Sequence, residues 1–103
     1  MRILSFCNRW NKLKQKEFST FRWQRKDRDW GEGEGVQIYF KCRSPEGEKL
    51  GEGYIKEKTP VVIKDITQDE AIADGFNSAI SMWLFLGRPN MNKIINKLTI
   101  RWA

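Results

Sequence analysis

The sequence predicts an α+β domain: a strongly curved sheet or small β-barrel with two or three helices packed on it. Three observations lead there. Period-2 alternation of apolar and polar residues dominates the first two thirds of the chain and returns at its end, as strands require. Helical signals are grouped late, beginning with Thr67 and continuing through an apolar run after Ser78. Gly51, Gly53 and Pro60 fall in the longest extended stretch, where they bend a strand, open a bulge or mark an edge. With 103 residues, 40 % hydrophobic and 13 % aromatic, the chain has apolar material for one core, so a single domain over 1–103 is expected.

The elements follow in order. Arg2 to Phe6 reads as a short first strand. Asn8 to Glu17 is rich in Lys and Gln, with Trp10 and Leu13 three apart, which fits a short helix or turn tethered by those two side chains. Phe18 to Trp23 is β-prone. Its parity puts Phe18, Thr20 and Arg22 on one face and Ser19, Phe21 and Trp23 on the other, with Phe21 and Trp23 inward. Gln24 to Gly35 lacks aliphatic residues and reads as loop. Val36, Ile38, Phe40 and Cys42 alternate with Gln37, Tyr39 and Lys41, the cleanest strand in the chain. Residues 44–47 (Ser-Pro-Glu-Gly) form a turn. A strand from about Leu50 to Lys58 is interrupted at Pro60 and resumes at Val61–Ile63. Thr67 and Glu70 match a capping box that starts a helix, and Gly75 stops it. Asn77 or Ser78 caps a second helix through Leu86, apolar on nearly all sides and so expected to be buried on most of its circumference, Trp83 included. Asn90 to Asn96 fits a third, shorter helix, and Leu98 to Trp102 closes the chain as a strand.

Composition excludes several chemistries. There is no histidine, hence no imidazole base, no Ser-His-Asp or Cys-His machinery and no His-ligated zinc. Cys7 and Cys42 are too few and too far apart for a zinc clip. A reduced, buried pair is expected, with a single disulfide the alternative. No metal or other cofactor is expected. The longest apolar run, Met82 to Leu86, is too short to cross a bilayer. The first residues carry neither a long apolar stretch nor a small-residue cleavage site, so a cytoplasmic protein is expected.

The net charge of +6 is concentrated. From Arg9 to Arg28 there are eight cations (Arg9, Lys12, Lys14, Lys16, Arg22, Arg25, Lys26 and Arg28) against two anions, Glu17 and Asp27; the other residues hold 11 of each sign. Charge runs are usually solvated faces. This one holds the entire surplus and is interleaved with Trp10, Phe18, Phe21, Trp23 and Trp30. Phosphates take Lys and Arg, and bases take flat rings, so a nucleic-acid surface is expected, with Trp10 and Trp30 as the better stacking candidates. Gly31 to Gly35 lacks the Lys and following helix of a phosphate loop and carries two carboxylates, so it reads as a turn. The amides at the helix start after Thr67 face Asp69 and Glu70, which already satisfy an anion site there.

The segment Lys14-x-Lys16-x-Phe18-Ser-Thr20-Phe-Arg22, the glycine-rich loop, Val36 to Ile38, Asp65 to Phe76 and the terminal Leu98 to Ile100 together resemble, in order, the ASCH domain, a branch of the PUA-like β-barrels. The most specific piece is Ile66 to Phe76, similar to that family's helix with an acidic residue, Gly and Phe. The resemblance implies a cleft between barrel and helices and RNA or nucleotide ligands. Some single-domain members are amidohydrolases acting on acetylcytidine, and others are reported as ribonucleases. In the hydrolases a Thr, a Lys and an acid carry the chemistry; Thr20 and Asp74 match, and Lys16 matches with a one-residue shift, Glu17 holding the ungapped Lys place. Three functions are therefore expected in order: RNA binding by a basic cleft; hydrolysis of a modified nucleoside through Lys16, Thr20 and Asp74; and protein binding through the apolar helix from Ala79 to Leu86.

Overall fold

A computed structural model of the chain describes residues 1–6, 11–41, 45 and 47–103, with residues 11 and 12 described in backbone only. Five strands, β1 (Arg2–Phe6), β2 (Glu17–Arg22), β3 (Gly35–Phe40), β4 (Glu48–Val62) and β5 (Ile94–Trp102), form one sheet in the order β1-β3-β4-β5-β2. Helices α1 (Gln68–Ala73) and α2 (Ala79–Phe85) lie between β4 and β5 in sequence. Only β1 and β3 run parallel; the other neighbours are antiparallel. The α+β class is therefore as the sequence predicts. Cys7, Arg9, Trp10 and Cys42 lie outside the described residues, as do the side chain of Lys12 and residues 44 and 46 of the turn.

The sheet is curled. A flat sheet of five strands spaces its edges about 19 Å apart. Here Phe6 of β1 and Phe18 of β2, on opposite edges, meet edge-to-face with ring centroids 5.9 Å apart. Arg22 of β2 also donates to the Ser5 carbonyl of β1 at 2.8 Å. The edges are thus joined by side chains, while no backbone ladder pairs β1 with β2. The bend has a local source. β4 shifts register between Ile55 and Glu57 against β5, and β3 shifts between Ile38 and Tyr39 against β4. Gly53 makes the close approach possible: a side-chain carbon there would sit 2.5 Å from the Arg101 carbonyl oxygen.

Curling the sheet creates an inner face. Leu4, Phe6, Phe18, Trp30, Val36, Ile38, Ile55, Leu98 and Ile100 pack there as the main core cluster. The opposite face is covered at one end by the helices, where Phe21, Ile63, Ala71, Met82 and Ile95 form a second cluster. The two faces of β2 separate as expected, Phe18 entering one cluster and Phe21 the other, but the inner face of the curl takes Phe18 and Thr20, while Phe21 and Trp23 face the helices. Trp30, expected as a stacking residue, is instead core. It lies in a loop without aliphatic residues, but Arg2 stacks on its ring at 4.3 Å and closes it over the inner face.

The helix caps form as read. Thr67 accepts from the Glu70 amide and Glu70 reaches back to the Thr67 amide, while Gly75 takes the left-handed φ of 109° that ends α1. Ser78 caps α2. Three expectations change. There is no third helix at Asn90 to Asn96: Ile94 and Ile95 instead pair with Val62 and Val61, so β5 starts at Ile94. Helix α2 buries one side, through Met82, and leaves Ile80, Leu84 and Phe85 exposed. Trp83 is half-buried rather than core, its indole donating to the Pro89 carbonyl at 2.8 Å. Nor does Pro60 interrupt the strand. Beyond Ile55, whose backbone bonds to Gly33 and Glu34, β4 is paired only by β5, and Pro60 turns its missing N–H to the unpaired side. Two residues earlier the Lys58 amide, on that side, donates to the Glu32 carboxylate at 3.1 Å. No helix among the described residues is long and apolar enough to cross a membrane.

Candidate nucleic-acid interface

Cross-strand neighbours share a face, so the register places three rows across the inner side of β2, β5 and β4. Phe18, Ile100 and Ile55 form an apolar row; Thr20, Leu98 and Lys58 form the next; Arg22, Asn96 and Pro60 form the last. The inner face therefore grades from apolar to polar toward the end where β2 leaves the sheet and the loop 24–34 begins.

Asp29 organises that end. Its carboxylate accepts from the Asn96 side-chain amide at 2.9 Å, from Lys58 Nζ at 3.1 Å and from the Arg25 backbone amide at 3.3 Å. Burial pushes the Asp29 carboxyl up, but the hydrogen bonds from Lys58 and from the Trp30 and Arg25 amides together hold it below the ordinary aspartate value. The loop is thereby fixed to two strands. Arg2 fixes it again from β1. Its guanidinium is bidentate to Glu34, at 2.5 and 2.6 Å, and donates to the carbonyls of Arg28 and Asp29. The Arg2 hydrogen bond holds the Glu34 carboxyl below its ordinary value despite its burial. Glu32 and Gly33 make the expected turn into β3.

Most described cations outside residues 9–28 are paired with a carboxylate, Lys64, Arg88 and Lys93 being exposed exceptions. Lys49, Lys56, Lys58, Lys97 and Arg101 are each paired with a carboxylate on Glu52, Glu17, Asp29, Glu70 and Glu17 respectively. Within the basic segment, Arg25 pairs with Asp27 and Arg28 with Glu34, but both arginines stay exposed. Lys14, Lys16 and Lys26 are exposed and, among the described residues, have no ion pair. Arg22 lies over the Phe6 ring at 4.8 Å as well as bonding to Ser5. Lys93 lies over Trp23 at 4.9 Å, on the helix side of the same end.

The three residues expected to carry hydrolysis stand in different settings. Thr20 is buried on the inner face, Asp74 is buried at the C-terminal cap of α1, whose helix packs on the other face, and Lys16 is exposed just ahead of β2. Sequence reasoning passed over Asn96, Asp29 and Lys58. Counting back by twos from Ile100 and Leu98 puts Asn96 on the inner face, a signal that was there to be read; the Asp29 contacts that fix the loop to the strands, with Lys58 and Asn96, span 29 and 67 residues and left no local trace. Among the described residues no group of three Cys, Asp or Glu could hold a metal ion. Comparison with known proteins returns no match: no family model, no curated protein and no solved structure is significantly similar to the chain.

Proposed function

We propose that this chain is a small ASCH-type, PUA-like barrel domain that binds RNA across the polar end of its inner face and the adjoining loop. The observation that carries this reading is the division of the cations. Outside the basic segment most are neutralised by carboxylates, whereas Lys26 in the rigidly held loop, and Lys14 and Lys16 ahead of β2, are exposed and unpaired. Unpaired cations on a fixed surface recruit phosphates with little ordering cost and release counterions in doing so. Arg25 and Arg28, exposed in the same loop as Lys26, supply further guanidinium donors for phosphate or ribose.

Fluorescence anisotropy with a single-stranded RNA across a salt series tests it. Binding should weaken steeply with salt. Replacing Lys14, Lys16 and Lys26 together by Ala should reduce affinity about 10- to 100-fold and flatten the log–log salt slope by about 2. Replacing Lys49, Lys56 and Lys97, each already paired with a carboxylate, should change it less than threefold, by the same counterion argument. Equal losses from the two triples would refute the location, and salt-insensitive binding would refute the mechanism.

Hydrolysis of an acylated nucleoside is the second reading, supported by the burial of Thr20 and Asp74. A Lys that accepts the Thr proton must be desolvated, and Lys16 would have to leave solvent when substrate binds. Incubation of acetylcytidine with wild type, Thr20→Ala and Asp74→Asn, followed by chromatography, decides this. The expected result is no cytidine release by any of the three; release by wild type that both substitutions abolish would establish the enzyme.

A further inference from the structure

The helix layer presents an outward face that the RNA-binding reading does not use. Ile72 of α1 is 52 % exposed, and on α2 Ile80, Leu84 and Phe85 are 70 %, 47 % and 53 % exposed. Ile80 and Leu84 stand one turn apart on the same stripe. The helices already bury Ala71 and Met82 against the sheet, so these four side chains belong to a second, outer apolar face. Such short helices gain nothing from four large apolar residues in water, and exposed apolar side chains gathered on one helical layer mark an interaction surface.

The charges around the patch say what fits it. The Ala79 amide donates to the Gln68 side chain at 2.9 Å, which brings the N-terminal ends of α1 and α2 together. Phe76, just past α1, packs on Phe85 at 5.1 Å, which brings their C-terminal ends together. The layer therefore has two ends. Asp69 lies exposed in the first turn of α1 at one, and Arg88 lies exposed just beyond α2 at the other. Neither has an ion pair among the described residues. Lys64 and Asp65, exposed in the turn before α1, add one charge of each sign at the same place.

An apolar stripe with an acid at one end and a base at the other is complementary to itself turned end for end. A two-fold axis through the stripe places Arg88 of each copy against Asp69 of the other, with the isoleucines, Leu84 and Phe85 buried between them. We propose that the outer face of the α1–α2 layer is a two-fold self-association surface whose occupant is a second copy of this chain. The patch is small, so the dimer is weak, with a dissociation constant on the order of tens to hundreds of micromolar.

Sedimentation velocity of the full chain over a concentration series tests this. The apparent mass should rise toward twice the monomer value. Leu84→Glu should hold it at the monomer value with an unchanged thermal melt, since Leu84 is exposed. Arg88→Asp and Asp69→Arg, run separately, each set like charges against each other across the axis and should also remain monomeric. Mixed together, the two variants regain both opposite-charge contacts and should associate at least as well as wild type. A wild type that stays monomeric throughout overturns the proposal. So does association that survives Leu84→Glu, or a mixture of the two charge variants no more associated than either alone.

Discussion

Phe18→Ala is expected to lower the unfolding free energy by about 3–5 kcal/mol, a large share of the 5–15 kcal/mol typical of a domain. Phe18, on edge strand β2, is 4 % exposed and bridges the curl: it meets Phe6 on the far edge strand β1 at 5.9 Å and Trp102 on the neighbouring β5 at 5.8 Å. Truncation leaves a cavity at the place where the sheet turns back on itself, and no backbone ladder there limits the loss. Urea unfolding followed by tryptophan fluorescence should show a lower midpoint with an unchanged slope. Ile3→Ala, on the opposite edge strand β1 and 44 % exposed, should shift the midpoint far less. Comparable shifts for the two would mean that the inner face is not the main core.

Arg2→Ala should cost about 2–3 kcal/mol, less than a fully buried pair because both partners keep some solvent contact. The Arg2 and Glu34 side chains are only 15 % and 17 % exposed, and removing the guanidinium strands the carboxylate and uncovers Trp30. Arg2→Lys should recover part of this, since an ammonium keeps the charge but not the planar, bidentate stack. The pH dependence carries a further signature. Arg2 lowers the Glu34 carboxyl below its ordinary value of 4.5. A carboxyl depressed in the folded state binds fewer protons than in the unfolded state, so its contribution is complete above the ordinary glutamate range and is lost as pH falls through the folded value. Wild type should therefore lose stability on acidification more steeply than Arg2→Ala. Parallel stability-against-pH curves would show that the pair contributes nothing through ionisation.

Features set by neighbours in sequence were legible; features set by distant partners were not. The Thr67 and Glu70 cap is written in four adjacent residues, and the alternation at Val36 to Ile38 needs only the two faces of one strand. Ile94 and Ile95 are different. Two apolar residues after a polar run suit a helix or a strand equally, and pairing with Val61 and Val62 decided the matter. The seven residues of α2 look apolar all round, but a short helix on one end of a sheet has only one side to bury. Trp30 carried no sign of burial because the groups that close over it, Arg2 and the inner face, are remote in sequence. Of the candidate interface, the concentration of charge was visible in the composition. Which cations are neutralised was not, because the carboxylates that engage Lys56, Lys58 and Lys97 lie 39, 29 and 27 residues away.

The outer half of β4 bears on how this protein behaves when crowded. A strand with one bare side is a template for another chain, and long, flat, unprotected edges seed fibrils. Here the amide of Lys58 is already occupied by Glu32, and Pro60 has none to offer. An incoming strand would meet two successive positions at which it gains no hydrogen bond from a donor, one of them guarded by a carboxylate. The segment from Glu57 to Val62 combines Thr, Val and Val, residues that otherwise favour cross-β stacking, and these two devices keep it from acting as a nucleus for amyloid growth.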